Sequence, residues 1–536
     1  MPCTRLLSRL IRQLVRVAVV LALLAPGASV ARAQEPSADF VPGRLLVKFS
    51  PDAHGDLDLA GMGLRRVGEV SGLGVQVLAV PPGQELAAAE LLRARKDVVY
   101  AEPDYIVRAL DTTPNDPDLG LQWALPRMQA FKAWDILSTT GGDGITVAIV
   151  DTGIDLTHPD FACPGKLLPG QCFLDGCTSP QDDDYRGHGT HVAGIVGACT
   201  NNGVGVAGIA WAARLLPVKV LDSAGSGRYS NLAHGIIYAT DSGARIINLS
   251  LGGTADSQTM AEAVSYAVSS GVLVIAAAGN CAAGGSGCGN MINPVMYPAA
   301  YPDVLAVAAT DQGDGHAYFS EFHPYVDVSA PGVGIISTII GGYGYLSGTS
   351  MSTPFASGLA ALLWSADQTL RASEVRSLME TYADDLGTPG KDVYFGYGRL
   401  NAWRTLHELL AVRATPMTTF FLTDDTLGPL PPSRTIALTT ATRQPITWTV
   451  VASPPTSWLQ VVPPVSGQVS ASSNAALEIT ATRPVTYGVY PATLVITGVA
   501  ESGARPDPTT VAVTLHYVPK VYQQRLFPVL KNATMP

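Results

Sequence analysis

Five apolar runs without polar alternation recur between residues 123 and 412, at 145–150, 215–220, 246–249, 272–277 and 304–308. A strand that is apolar at every position must be covered on both faces, the condition of a parallel strand between two layers of helix. The stretches between the runs are amphipathic. In one of them Met260, Val264, Ala267 and Val268 recur at i, i+4, i+7 and i+8, the spacing of one helical face. Strand and helix in alternation predict a doubly wound, mostly parallel α/β sheet for residues 115–412.

The flanks carry other patterns. Residues 39–110 predict a small α+β unit, with strands at 44–49 and 75–80, an Ala/Leu-rich helix at 85–96 and an extended segment at 98–107. Residues 110–118, rich in Pro, Asp and Thr, predict a linker. From 415 to 518 the helical period is absent. Short Thr/Val-rich segments at 435–440, 446–451, 459–462, 477–482, 493–497 and 509–516, separated by Pro, Gly and Ser, predict an all-β sandwich. Residues 519–536 follow as a tail.

The N-terminus sets the compartment. Arg5, Arg9, Arg12 and Arg16 precede a short apolar core at 17–25, and Ala31-Arg32-Ala33 supplies a small-residue cleavage site. Residues 1–33 are therefore expected to be a secretory signal peptide. The apolar core is too short to span a bilayer. Removing the five arginines of that segment leaves 29 basic against 44 acidic residues. Such an acidic chain disfavours nucleic acid as a partner, because phosphate binding relies on Lys and Arg. A hydrophobic fraction of 47% with 15% charged residues excludes a disordered chain and allows a large core. Cys3 leaves with the signal. Cys163, Cys172, Cys177, Cys199, Cys281 and Cys288 remain, and an even count in an exported chain predicts disulfides. Cys172 and Cys177, like Cys281 and Cys288, are near enough to close small loops, but the sequence leaves the pairing open.

Three segments carry chemistry. Asp151 ends the first apolar run, in Val150-Asp151-Thr152-Gly153. His188 lies in Gly187-His188-Gly189-Thr190-His191, at a predicted helix start. Ser350 lies in Gly348-Thr349-Ser350, also opening a helix. Sites in open α/β sheets lie beyond the carboxyl ends of the strands, an edge all three can reach. A serine hydroxyl needs a base to become a nucleophile, histidine is that base near neutral pH, and a buried carboxylate fixes its tautomer. Glycines beside His188 and before Ser350 let a substrate backbone come close. The chain order Asp, His, Ser separates this triad from those of other folds.

Together these segments resemble the signature motifs of the subtilisin-like serine proteases, the subtilases, over nearly all of residues 115–412. The resemblance implies a secreted endopeptidase of broad, apolar preference with Asp151, His188 and Ser350 as its triad. It implies Asn280, at the end of 274–280, as an oxyanion donor beside the Ser350 backbone N–H. It implies an extended peptide paired between Gly225-Ser226-Gly227 and Ser250-Leu251-Gly252. Tyr229 and Leu251 would wall an outer apolar subsite. Ala277, Ala278 and Gly279 would line the primary pocket and Met296 would floor it. Residues 200–206 are similar to the family's calcium loop. There Thr200, Asn202, Val204 and Val206 would offer backbone and amide oxygens, Asp160 a bridging carboxylate and Asp116 an N-terminal ligand, the hard donors Ca²⁺ takes. No organic cofactor is implied. Residues 39–110 resemble the family's propeptide, a folding template and inhibitor removed by the enzyme itself. The sandwich resembles BACON modules, which implies attachment to a surface or polymer. A monomer is expected.

Other patterns point elsewhere. Gly203 to Gly208 spells GxGxxG, with Asp222 where a ribose-binding acid would stand. A dinucleotide fingerprint must follow a strand and open a helix, whereas this one follows a predicted helix. His188 and His191 are at i, i+3 without the glutamate of a zinc-protease helix. His191 is expected in the core, Asp155 behind Asp151, and 182–184 as a solvated acidic loop. A binding protein on a dead protease scaffold is disfavoured because every reactive residue is present.

Overall fold

The computed structural model describes residues 40–50, 64–70, 72–81, 84–105, 112–137, 144–284, 288–423, 433–453 and 456–518. The expected signal peptide, the tail and residues 106–111 lie outside these. The chain divides into two compact units, at Leu110 and Asp111.

The first unit contains β1 (Phe40–Phe49), β2 (Arg65–Val70), β3 (Val75–Ala79), α1 (Glu85–Arg93) and β4 (Val98–Tyr105). The strands form an antiparallel sheet in the order β2-β3-β1-β4. Ala89 and Leu92 of α1 pack on Leu45, Val47, Leu78 and Ala101 of the sheet. β2 escapes prediction because nearly all its side chains are exposed, so no alternation marks it. α1 ends earlier than its composition suggests, and β1 begins earlier, taking in Val41 to Gly43.

The second unit opens with α2 (Ala130–Leu137) and β5 (Thr146–Asp151), β6 (Gln171–Cys172), α3 (His188–Gly197), β7 (Arg214–Lys219), α4 (Tyr229–Asp241), β8 (Ile246–Leu249), α5 (Gln258–Ser269), β9 (Leu273–Ala277), β10 (Leu305–Thr310) and β11 (Val328–Pro331). The seven strands form one parallel sheet, β11-β10-β9-β8-β5-β7-β6. Its five predicted strands are buried at almost every residue, as unbroken apolar runs require. Alternate residues serve opposite faces. Val147 and Ile149 join the core under α3, whereas Ala148 and Val150 join the core under α4 and α5.

A hairpin follows, β12 (Ile335–Ile339) and β13 (Gly342–Leu346), then α6 (Thr349–Ala366), α7 (Ala372–Thr381) and α8 (Ala402–Leu410). α6 is buried along nearly its whole length and packs on the face that α3 covers.

The sandwich contains β14 (Arg413–Thr415), β15 (Thr418–Thr423), β16 (Arg434–Thr439), β17 (Ile446–Ser453), β18 (Leu459–Val462), β19 (Ser466–Val469), β20 (Ala475–Ala481), β21 (Gly488–Ala500) and β22 (Thr509–Tyr517). Its sheets run β14-β16-β20-β18 and β15-β22-β21-β17-β19. All pairings are antiparallel except β15 with β22. Its apolar interior is continuous with the α/β core, through Leu410, Val412, Phe421 and Trp448. Fully buried Asp367, just after α6, accepts hydrogen bonds from Thr442 Oγ1 at 2.7 Å and Arg443 N–H at 3.0 Å of the sandwich.

Candidate active site

Asp151 is the last residue of β5 and is wholly buried. Its Oδ1 accepts hydrogen bonds from the Thr152 N–H at 2.7 Å and from His188 Nδ1 at 2.8 Å. That bond assigns the proton to Nδ1 and leaves Nε2 as the basic nitrogen. Burial works against the charged ring of His188. The Asp151 carboxylate, with Asp184 and Asp182 behind it, outweighs burial and holds the pKa above the ordinary value.

His188 opens α3, and the approach is tight. A Cβ on Gly189 would stand 2.2 Å from Gly153 O, so only glycine lets the helix meet the strand end. Gly187 sits at φ +62°, in the left-handed region. The preceding acidic segment is not the solvated loop its composition suggests. Asp182 and Asp184 are buried and only Asp183 is exposed. Asp184 Oδ2 accepts the His188 N–H at 3.0 Å and Asp182 Oδ2 accepts the Thr190 N–H at 3.0 Å, so both satisfy orphan donors of the helix start. Buried Lys219 donates to Thr152 O at 2.6 Å, Leu221 O at 2.8 Å and Asp183 Oδ1 at 2.6 Å, fastening the Asp151 strand end to its neighbour.

Ser350 is the second residue of α6, where backbone N–H groups have no intrahelical acceptor. Pro354 has no N–H, so the Ser350 carbonyl loses its usual helical donor. Ser250 Oγ replaces it at 2.8 Å. Asn248 Nδ2 donates to that Ser250 Oγ at 2.9 Å, and Ser357 Oγ donates to Asn248 Oδ1 at 2.8 Å. The Ser350 hydroxyl itself is turned to Ser250 O, at 3.1 Å, and not to His188. Catalytic hydrogen bonds often tighten only with substrate in place.

Asn280 is oriented by Thr349, whose N–H and Oγ1 donate to Asn280 Oδ1 at 2.8 Å and 3.0 Å. With Oδ1 engaged, the Nδ2 amide is left to donate beside Gly348 and Ser350. The sequence did not single out Thr349, Asn248, Ser357 or Lys219. Thr349 stands directly before the serine, and Asn248 shares a strand face with Ser250 at i, i+2, which are the available signals.

A cleft beside His188 is walled by Ser226, Gly227 and Tyr229 on one side and Ser250, Leu251 and Gly252 on the other. Tyr229 is anchored by a hydrogen bond to Ala255 O at 2.8 Å. Met296 reaches Gly252, where a Cβ would stand 3.4 Å from its Cε. Ala278 is fully buried and Gly279 sits at φ +121°.

The residues expected to form a calcium loop also converge. Asp160 Oδ1 accepts Asn202 Nδ2 at 2.9 Å and Oδ2 accepts the Val206 N–H at 3.0 Å. Asp116 Oδ2 accepts the Asn201 N–H at 2.8 Å. Thr200 and Val204 lie on the same loop. Burial pushes both carboxyls above the ordinary range, and neither forms an ion pair among the described residues. Among those residues no three His, Cys, Asp or Glu side chains cluster as a metal site. The GxGxxG stretch belongs to this loop, after α3 and before β7, with Gly205 under the Tyr343 ring. His191 is fully buried, Nε2 to Ile335 O at 2.9 Å. Asp155 supports its own loop, accepting from Thr157 and Gly341. The cysteines pair as Cys163–Cys199, Cys172–Cys177 and Cys281–Cys288.

A parallel α/β sheet that presents an aspartate, a histidine and a helix-borne serine at its carboxyl edge defines a serine hydrolase. Comparison with known proteins narrows the class. Residues 142–398 match the Subtilase family, and residues 26–104 match the fervidolysin N-terminal prodomain, a match that begins within the segment expected to be cleaved on export. The chain is 41% identical over 372 residues to the thermophilic serine proteinase of Bacillus sp. (strain AK1), covering 68% of this chain and 88% of that protein. It is 45% identical over 296 residues to thermitase of Thermoactinomyces vulgaris, covering 55% and 99%. It is 44% identical over 261 residues to subtilisin E of Bacillus subtilis (strain 168), covering 48% and 65%. The chain belongs to the subtilase family and is a subtilisin-like serine protease with an N-terminal prodomain.

Proposed function

We propose that the protein is an exported endopeptidase, made as a zymogen, that cleaves peptide bonds through an acyl-enzyme on Ser350. The observation that carries this reading is the 2.8 Å bond from His188 Nδ1 to buried Asp151, beside a cleft walled by two backbone segments. The substrate lies between Gly225–Gly227 and Ser250–Gly252 as an added strand, which needs little side-chain recognition. Ser350 Oγ attacks the carbonyl carbon as its proton passes to His188 Nε2. The C=O π electrons move to oxygen, where Asn280 Nδ2 and the Ser350 N–H donate to the oxyanion. Collapse breaks the C–N bond, and His188 returns the proton to the leaving amine. Water then repeats the sequence on the ester and restores Ser350.

Tyr229 and Leu251 wall an outer apolar subsite. Met296 floors the primary pocket and favours medium apolar residues. Residues 39–110 act as inhibitor and folding template, removed by Ser350 itself. The parallel sheet gives that template a purpose, because non-local contacts close long loops before they gain contacts. Residues 115–412 form the catalytic body, and residues 415–518 are a module that holds it to a surface or polymer.

The oxygen-rich set around 200–206 fits a structural Ca²⁺: two buried carboxylates that form no ion pair among the described residues are what a bound cation would stabilise. Asp116, Asp160, the Asn202 amide oxygen and the carbonyls of Thr200, Val204 and Val206 would hold it. The Asn202 amide would turn its oxygen inward to do so. Among the described residues no helix is long and apolar enough to cross a membrane. A fluorophosphonate probe, followed by peptide mapping, tests the reading. The label is expected on Ser350. No label on folded, processed protein, or a label elsewhere, contradicts it.

A further inference from the structure

Asn280 is flanked on both sides by bonds to one residue for which the sequence alone suggests no role. Glu321 lies between β10 and β11 and is fully buried. Its backbone N–H donates to Gly279 O at 3.0 Å, and its Oε1 accepts the Cys281 N–H at 3.2 Å. The carboxyl occupies the space a side chain on Gly279 would need, since a Cβ there would be 2.5 Å from Oε2. The Tyr325 hydroxyl lies 3.4 Å from Oε2 and 3.1 Å from Ala278 O, and it accepts the Met296 N–H at 3.3 Å.

Counting protons separates the two charge states of Glu321. A tyrosine hydroxyl has one proton and two lone pairs. Met296 occupies one lone pair. If Glu321 is ionised, the single Tyr325 proton serves either Oε2 or Ala278 O, and the other acceptor goes without. If Glu321 is protonated, it donates to the second lone pair, Tyr325 donates to Ala278 O, and every group is satisfied. The neighbouring titratable groups do not favour ionisation. Tyr297 faces Tyr325, and the His323 ring stacks on Tyr325 at 4.9 Å with its Nε2 committed to Asn293 O at 2.9 Å. No Lys or Arg among the described residues bonds the carboxyl. Burial, only partly offset by the Cys281 and Tyr325 bonds, pushes the pKa up to about 7.

We propose that Glu321 is a positioning residue that works as a neutral acid, holding the Ala278–Cys281 segment so that Asn280 Nδ2 meets the developing oxyanion. Ionised, it leaves Ala278 O or its own Oε2 without a donor and sets a negative charge against the Gly279–Cys281 backbone that carries Asn280. The proposal rests on the oxyanion role of Asn280 given above. His188 must lose a proton for activity and Glu321 must keep one, so kcat/KM follows a narrow bell near neutrality.

The test is kcat/KM on an uncharged peptide from roughly pH 5.5 to 10, normalised to the fluorophosphonate titre. The parent enzyme should fall about tenfold or more on the alkaline side. Glu321→Gln keeps an acceptor for Cys281 and a donor for Tyr325 but cannot ionise, so its profile should rise and stay level. Glu321→Ala, which buries no polar group, should be slower at every pH but equally level. Alkaline limbs that superimpose on the parent's, in whichever variant folds, overturn the proposal. Asn280→Ala separates the two ideas. Normal kcat in that variant sinks the oxyanion assignment, whereas a large loss with unchanged alkaline limbs sinks only the role of Glu321.

Discussion

Acid should destabilise this enzyme through a histidine that takes no part in catalysis. His191 is 0% exposed, with Nε2 donating to Ile335 O at 2.9 Å and Gly344 O at 3.2 Å. Nδ1 is buried and has no hydrogen-bond partner among the described residues. A second proton would put an unpaired charge in the core. Burial, reinforced by His188 nearby, lowers the pKa from 6.5 to about 3. Below pH 6.5 the unfolded chain takes up a proton that the folded chain refuses. The unfolded state then binds more protons, so stability present above that pH is lost as the pH falls. Each unit costs about 1.4 kcal/mol, or about 2.7 kcal/mol two units below the unfolded value. His191→Gln keeps an N–H donor for the two carbonyls and cannot titrate. Guanidinium unfolding of the full-length Ser350→Ala protein, which cannot digest itself, gives the comparison. The stability gap between parent and His191→Gln should narrow by about 2.7 kcal/mol from neutral pH to two units below 6.5. A gap that stays constant refutes the reasoning.

A chelator should lower Tm and speed autolysis, because an ion bound only by the native state adds about 2.7 kcal/mol at a hundredfold excess over Kd. Asp160→Ala should blunt that response in a melting curve, and equal chelator sensitivity in both proteins would count against the site. The continuous core and the Asp367 bonds predict that catalytic body and sandwich unfold in one calorimetric transition. Two resolved transitions would show them to be independent. Gly279→Ala should lower kcat, because φ +121° is strained for alanine and its Cβ would meet the Glu321 carboxyl. An active-site titration with unchanged kcat would refute that.

The parts of this molecule legible in sequence are those dictated by local covering. β5, β7, β8, β9 and β10 are buried at nearly every position and mostly apolar, as strands covered on both faces must be, and their ends carry Asp151 and the Gly279-Asn280 turn. β2 is exposed and so shows no burial pattern, whereas β12 is buried but its apolar run is broken by buried Ser337 and Thr338. The parallel joining of β15 to β22 brings together segments nearly a hundred residues apart, a pairing no local pattern encodes. Charged residues misled most. Asp182 and Asp184 look solvated because acids usually are, yet they cap the helix that carries His188. Ser250 is legible as a substrate strand, but its bond to the carbonyl orphaned by Pro354 appears only when β8 and α6 are placed side by side.

Ser350 should cleave peptide bonds, beginning with the bond that releases its own prodomain. N-terminal sequencing of secreted parent and Ser350→Ala protein, from a host lacking other extracellular proteases, tests it most directly. The parent should have lost a segment ending within about residues 108–114, the Pro- and Asp-rich linker. The Ser350→Ala protein should be folded, exported and still begin at Gln34. A Ser350→Ala protein with the parent's mature N-terminus would contradict that role of Ser350.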